Sequence, residues 1–319
     1  MTLAFGSVCS GIEAASAAWT PLGWRCVFTS EIDASPRAVI AHHYPGVPIH
    51  GDFTTIRAGQ FERIDVLAGG TPCQPFSVAG LRTGMDDQRG GLALEYLRLV
   101  DRLRPTWMVW ENVPGVLSNH RGRDFAAFIG GVRELGYGFA WRVLDAQFFG
   151  VAQRRRRVFV VGHARHWGRA AAVLFERHSL SGNPGPGEAA ESYVAGTIGR
   201  TSYDWSRSNI AEALVAAPAP ALAFALRGRE GGAMPEMGGQ VANALRTAGG
   251  GASVPMVADS MVRRLTPTEC ERLQGFPDGY TAITYRGRPA ADAPRYKALG
   301  NSMAVPVMAW IGRRIAAVD

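Results

Sequence analysis

Lysine is almost missing from this chain: Lys297 is the only one among 34 lysine and arginine residues. The formal net charge of +7 and the isoelectric point near 9.6 are therefore carried by arginine, which grips phosphate through paired N–H donors. That favours a polyanion partner, although an Ala/Gly/Arg-rich proteome yields the same composition without one. Cysteine is scarce too. Cys9, Cys26, Cys73 and Cys270 lie far apart with no C-x-x-C pair, which argues against a structural zinc site or a disulfide framework and for reduced thiols. No apolar run approaches the ~18 residues of a membrane span, and Met1 to Gly6 lack the basic and apolar regions of a secretion signal. These absences lead us to expect a cytoplasmic monomer with no metal and no membrane contact. What remains is an ordinary globular composition, 47% hydrophobic over 319 residues with a mean hydropathy of −0.02. It suffices for one large α/β domain and a smaller one.

From Leu3 to Gly162 short apolar runs alternate with helical segments, which predicts a doubly wound α/β domain. The runs Leu3–Val8, Arg25–Ser30, Ile64–Ala68, Trp107–Trp110 and Val158–Val161 read as strands. Ile12–Trp19, Asp33–His43, Gly91–Leu103 and Phe125–Leu135 read as helices. Composition changes after about His166, and Ser179–Ser260 is rich in Gly, Ala, Pro and Ser with weak periodicity. This stretch reads as a loop-rich module of irregular or short-stranded structure, or as disorder. Order resumes at Arg263–Phe276 and again in a long apolar-periodic helix over Tyr296–Ile315.

The chemistry concentrates in loops after strands. In Gly69-Gly70-Thr71-Pro72-Cys73-Gln74-Pro75-Phe76-Ser77 a thiol stands between two prolines directly after an apolar strand. The prolines fix φ on either side of it, and the carboxyl end of a parallel strand is where open α/β sheets place ligands. Cys73 therefore reads as a nucleophile rather than a core thiol. The turn Cys9-Ser10-Gly11-Ile12 follows the first strand and lets backbone approach a ligand. Glu31 stands twenty residues beyond Gly11, where dinucleotide-type folds place a ribose acceptor, and Asp52 follows the third strand. Each acid alone reads as a solvated strand end; together they point to a nucleoside pocket. Glu111, in Trp110-Glu111-Asn112-Val113-Pro114, is a candidate acid or else a capping or ion-paired carboxylate. In Gln153-Arg154-Arg155-Arg156-Arg157 alternation puts Arg155 and Arg157 on one face, as a phosphate patch or a solvated run.

Taken in order, these blocks resemble the cytosine-C5 DNA methyltransferase family of prokaryotic and phage type. The resemblance extends to Arg264-Leu265-Thr266-Pro267-x-Glu269-Cys270, Gly275-Phe276-Pro277 and Gly300-Asn301-Ser302, so it spans nearly the whole chain. It implies a Rossmann-like S-adenosylmethionine-dependent domain over residues 1–175 and 290–319, with a smaller, loop-rich target-recognition domain over 176–289. It implies that Cys73 attacks C6 of a flipped cytosine in duplex DNA. Glu111 would hydrogen-bond N3 and the exocyclic amine, and Arg155 and Arg157 would hold the O2 edge and nearby phosphate. S-adenosyl-L-methionine would meet Cys9, Gly11, Ile12, Glu31, Ile32, Asp52, Phe53, Pro72, Asn301 and Ser302. DNA would meet Gln74, Ser77, Arg227, Arg229, Arg246, Thr247, Gly249 and Gly250, the last four within the Ala242–Gly251 segment that resembles a recognition loop.

The chain departs from the family at Cys9, which fills an aromatic position, and at Glu13 and Ala14, which fill glycine positions. The nearness of Leu3 to the start leads us to expect no regulatory domain ahead of the first strand. Three rivals remain at this point. The tRNA-methylating branch of the same fold would carry a very short recognition region. A DNA-binding protein without catalysis would survive loss of Cys73. A nicotinamide-dependent oxidoreductase leaves the Pro-Cys-Gln loop unexplained.

Overall fold

The computed structural model describes residues 2–72, 91–175 and 264–319 in full, and the backbone of five strands between 222 and 264. Cys73, Gln74, Ser77, Arg246, Thr247, Gly249 and Gly250 lie outside the described residues, and Arg227 and Arg229 fall where only backbone is described.

A seven-stranded sheet forms the body. In chain order it takes β1 (Ala4–Val8), β2 (Arg25–Ser30), β3 (Ile49–His50), β4 (Val66–Gly69), β5 (Trp107–Asn112), β6 (Gly138–Asp145) and, after the two-residue β7 (Gln153–Arg154), β8 (Arg156–His163). The spatial order is β3-β2-β1-β4-β5-β8-β6. The neighbours from β3 to β5 are parallel, whereas β8 runs antiparallel to both β5 and β6. Strand order reverses between β1 and β4, and such a switch point opens a crevice outside the carboxyl ends of the strands.

Alternation explains why both faces are covered. Trp107 and Val109 of β5 and Val66 and Ala68 of β4 enter one core with Phe5, Trp19 and Trp24. Met108, Trp110 and Leu67 enter the other, with Phe28, Tyr96 and Phe128. On the second face lie α3 (Leu92–Leu103) and α4 (Arg123–Glu134), numbered after α1 (Ala14–Trp19) and α2 (Ala34–His43). Tyr96 donates its hydroxyl to the carbonyls of Leu67 (2.9 Å) and Val109 (3.1 Å), tying α3 to both central strands. Trp110 stacks on Phe128 with ring centroids 4.0 Å apart. Each such fully buried ring contributes about 1.5–3 kcal/mol through burial.

The first face is closed by α1, α5 (Trp167–Leu174) and a late helix, α8 (Val305–Val318). Trp19 donates Nε1–H to the carbonyl of Met308 at 2.7 Å, so the chain end rejoins the first helix. Between them stand α6 (Pro267–Gln274) and α7 (Asp292–Asn301). Thr266 and Glu269 cap α6 reciprocally, Glu269 N–H to Thr266 Oγ1 (3.3 Å) and Thr266 N–H to Glu269 Oε2 (2.7 Å), with Pro267 at the first helical position. Leu265, Cys270, Phe276, Tyr280 and Ile283 belong to the same core as Phe5 and Trp19. Tyr280 donates its hydroxyl to the carbonyl of Ile12 at 2.9 Å.

Within the Gly/Ala/Pro-rich stretch the strands β9 (Leu222–Arg229), β10 (Gly232–Gly239), β12 (Val254–Ala258) and β13 (Val262–Arg264) form an antiparallel sheet in the order β10-β9-β12-β13. The two-residue β11 (Ala242–Asn243) pairs in parallel with β7, Ala242 opposite Gln153 and Asn243 opposite Arg154. Among the described residues no helix is long and apolar enough to cross a membrane, and no cluster of His, Cys, Asp or Glu is arranged to hold a metal.

Candidate active site

The crevice at the switch point is a cavity of about 610 Å³. One wall is the turn after β1, where Cys9 (φ 49°) and Gly11 (φ 56°) both take left-handed backbone. The turn is fixed from β2: Ser10 N–H donates to the Ser30 carbonyl at 3.1 Å, and Gly11 N–H donates to Glu31 Oε2 at 2.8 Å. Asp33 N–H donates to Glu31 Oε1 at 2.9 Å. Two backbone donors thus orient the Glu31 carboxylate, leaving its remaining lone pairs for a ligand. Arg37 donates to the carbonyls of Glu31 (2.9 Å) and His50 (3.1 Å) and locks the strand ends together.

Asp52 accepts Thr54 N–H at 2.9 Å through Oδ1 and caps the short 3₁₀ turn Phe53–Thr55. Phe53 is buried on the cavity floor, whereas Ile32 on the rim is 78% exposed. Two carboxylates flanking an apolar slot suit a flat ring carrying a sugar diol. The Cys9 thiol also faces the cavity, but burial, then Glu31 and Asp52, push its pKa up to about 12. It is a poor nucleophile.

The second wall is built by β4, β5 and β8. Gly70 leaves room for this wall: a Cβ there would stand 2.9 Å from Met303 Cε and 3.2 Å from Glu111 Oε2 and would push both side chains aside. Thr71 is clamped twice, its Oγ1 accepting Trp110 Nε1–H (3.0 Å) and its carbonyl accepting Asn112 Nδ2–H (3.0 Å). The clamp fixes the backbone that leads through Pro72, a cavity-lining residue, into Cys73.

Glu111 lies at the carboxyl end of β5, and Arg157 Nε reaches its Oε1 at 3.0 Å. The reversed direction of β8 makes this pairing possible. A strand parallel to β5 would begin at the far edge of the sheet; β8 begins at the cavity and carries Arg157 there, with Arg155 just ahead of its first residue. Arg155 is buried, and its guanidinium donates to the carbonyls of Gly300 (3.1 Å) and Ser302 (2.6 Å). Burial, then the nearby Arg157, lower its pKa to about 9, so it stays charged at neutral pH.

Of the expected residues, Cys9, Gly11, Glu31, Ile32, Asp52, Phe53, Pro72, Glu111, Arg155, Arg157 and Asn301 share this one cavity. Two do not face it. Ile12 is fully buried in the first-face core, and Ser302 is turned inward, its carbonyl held by Arg155. Sequence reasoning missed the Thr71 clamp, Arg37, and the ion pair between Lys297 and Asp33 (2.7 Å), which joins α7 to the start of α2 at the rim. Thr71 and Asn112 left a signal only as neighbours, in Gly70-Thr71-Pro72-Cys73 and in Glu111-Asn112-Val113-Pro114.

The family model for C-5 cytosine-specific DNA methylase matches residues 3–182 and 189–317. A DNA N-6-adenine-methyltransferase of Escherichia phage P1 is 36% identical over 460 residues, covering 98% of this chain and 61% of that longer protein. The type II methyltransferase M2.BsuMI of Bacillus subtilis (strain 168) is 31% identical over 299 residues, covering 90% of this chain and 68% of the relative. Among solved structures, the S. pombe Dnmt2 methyltransferase superposes with a TM-score of 0.62 at 14% identity, over 99% of this chain and 98% of that one. At that identity the likeness speaks for the fold.

Proposed function

The chain belongs to the C-5 cytosine-specific DNA methylase family, and from that membership we propose that it methylates C5 of a cytosine flipped out of a specific duplex DNA sequence. The observation that carries the reading is the Arg157–Glu111 pair at 3.0 Å, set in the same cavity as Pro72 and the Glu31–Asp52 pocket.

Cytosine C5 is too weak a carbon nucleophile to take a methyl group unaided. In the proposed reaction the Cys73 thiolate adds to C6, and the electron pair of the C5–C6 bond becomes available at C5. Glu111 in its protonated form donates to N3 and accepts from the exocyclic amine as negative charge reaches the ring, with Arg157 fixing its carboxyl group. C5 then forms its bond to the methyl group; loss of the C5 proton and departure of the thiolate restore the ring. S-adenosyl-L-methionine supplies the methyl group as an electrophile on a sulfonium. Glu31 would take its ribose hydroxyls and Asp52 its adenine amine, with Phe53 and Ile32 on either side of the ring. Arg155 holds the Gly300–Ser302 turn, which brings Asn301 to the same pocket.

For the domain plan we propose that the catalytic unit takes back the chain from Leu265 onward, because Leu265–Ile283 share the core of Phe5 and Trp19. The antiparallel sheet of β9, β10, β12 and β13 would then form the recognition unit. The pairing of β11 with β7 would carry the segment after Asn243 toward the DNA, with Arg227, Arg229 and Arg246 as contacts to phosphate or base.

The name of the phage P1 relative favours a second reading, methylation of adenine N6. An exocyclic amine needs no thiol addition, so the readings separate cleanly. Bisulfite sequencing of DNA from cells expressing the chain should reveal 5-methylcytosine in one sequence context. A duplex carrying 5-fluorocytosine there should be trapped covalently on Cys73. N6-methyladenine without 5-methylcytosine would replace the proposal with the second reading.

A further inference from the structure

Arg63, Arg104, His163, Arg165, His166 and Arg169 line a second cavity, of about 360 Å³. It lies at the far rim of the sheet. Arg63 precedes β4, Thr106 precedes β5, and His163 ends the reversed β8. The same three strands deliver Pro72, Glu111 and Arg157 to the catalytic cavity at their other ends. Six residues of β5 separate the two sites by about 20 Å.

Four guanidinium groups meet at one small cavity, with Asp101 and Asp319 as the acids that face them. Arg104 pairs with Asp101, and Arg169 donates to a main-chain oxygen of Asp319 at 3.0 Å, an acid whose charge also reaches His163. Arg63 and Arg165 are exposed and have no acidic partner among the described residues. His163, only 3% exposed, accepts the N–H groups of Arg165 and His166 on Nδ1, each at 3.1 Å. That fixes its proton on Nε2, and Nε2 has no partner among the described residues. Burial, then the charges of Arg169 and His166, lower the pKa of this ring against the opposing pull of Asp319. His166 and Arg169 also open α5, whose N-terminal end adds a positive dipole.

We propose that this cavity binds a phosphate group, at a site separate from the catalytic cleft. Forked guanidinium donors match phosphate oxygens in geometry and charge. Two sources carry that group: the backbone of DNA extending beyond the segment held for catalysis, and a free pyrophosphate-like anion.

The test titrates pyrophosphate calorimetrically into the full chain, into R63Q/R165Q, and into R57Q/R133Q. The last pair removes equal charge from exposed arginines elsewhere. A phosphate site gives saturable uptake, weakened about ten-fold or more in R63Q/R165Q alone, with unchanged unfolding midpoint and unchanged methylation of a short duplex. A parallel arm compares affinity for duplexes of about 14 and about 60 base pairs. Selective loss of affinity for the longer duplex in R63Q/R165Q identifies DNA as the source. Loss of pyrophosphate uptake alone identifies a free anion. Equal behaviour of the two double variants in both arms overturns the proposal, as does an absence of saturable uptake combined with unchanged duplex affinities.

Discussion

Arg157 Nε stands 3.0 Å from Glu111 Oε1, a contact between adjacent strands that run in opposite directions. The guanidinium fixes the rotamer of a carboxylate that must present one edge to a base. R157K keeps the charge but loses the fork. We expect R157A to lower kcat by about 10²–10³-fold and R157K by about ten-fold or more, with duplex affinity changed far less. A rise in KM for DNA at constant kcat would show that Arg157 only binds phosphate.

Arg155 acts through the chain end. Its two bonds hold the carbonyls on either side of Asn301, and R155M leaves both buried acceptors unsatisfied at about 1–3 kcal/mol each. The expected result is a lower unfolding midpoint together with about ten-fold weaker cofactor binding. Equilibrium binding of the cofactor in the absence of DNA measures this directly. Unaltered cofactor affinity in a destabilised R155M would confine Arg155 to a structural role.

The thiols should sort by reactivity. Burial raises the pKa of Cys9 and Cys270 to about 12 and pushes Cys26 up as well. Thiolate, not thiol, is alkylated. Iodoacetamide at pH 8, followed by peptide mass spectrometry, should therefore label Cys73 first and leave the other three largely unmodified. Early labelling of Cys9 would contradict the electrostatics of the cofactor pocket.

How far the sequence was legible follows from what each residue pattern reports. β1, β4 and β5 announce themselves because a strand buried on both faces is a continuous apolar run. β6 escapes notice because it is an edge strand, opening on Gly138, carrying Arg142 and leaving Trp141 42% exposed. Alternation placed Arg155 and Arg157 together, yet a period of two carries no direction, so the antiparallel entry that aims them at Glu111 was invisible. Gly11, Glu31 and Asp52 were legible only in combination, because a turn glycine or a strand-end acid alone is common, whereas the three at these spacings converge on one sheet edge. The Lys297–Asp33 pair and the Trp110–Thr71 bond join residues distant in sequence with no shared motif, and only packing reveals them. Ile12 was carried to the pocket by its neighbour Gly11; one residue further into the turn, the side chain faces the core.

Two helical glycines should respond oppositely to alanine. At Gly312 in α8 a Cβ would stand 2.5 Å from Cδ1 and Nε1 of Trp19, an indole tethered to Met308 and unable to step aside. Helix propensity alone gains about 1 kcal/mol from Gly→Ala, but overpacking against a rigid ring costs about 1–3 kcal/mol. G312A should be destabilised. At Gly130 in α4 a Cβ meets nothing within 4 Å, so G130A should gain about 0.5–1 kcal/mol. Urea unfolding of both variants checks the signs, and a stabilised G312A would mean that α1 and α8 separate easily.

Glu13 gives the fold a pH dependence of definite sign. It takes left-handed backbone (φ 68°) at the N-cap of α1, and its Oε1 accepts Ser16 N–H and Oγ–H at 3.0 Å each. The carboxyl is fully buried, and Oε2 has no partner among the described residues. Burial raises its pKa, with the Ser16 bonds pulling the other way. A carboxyl whose folded pKa exceeds its unfolded one favours folding fully below the unfolded value, near 4.5. That contribution is lost as pH rises through the folded value. E13Q keeps the shape and removes the titration. Wild type and E13Q should therefore have similar stability at pH 4.5, and E13Q should become the more stable of the two as pH rises to 8. Urea midpoints measured across that range decide it. A stability difference that stays constant with pH would place the Glu13 proton outside the folding equilibrium and leave Oε2 hydrated.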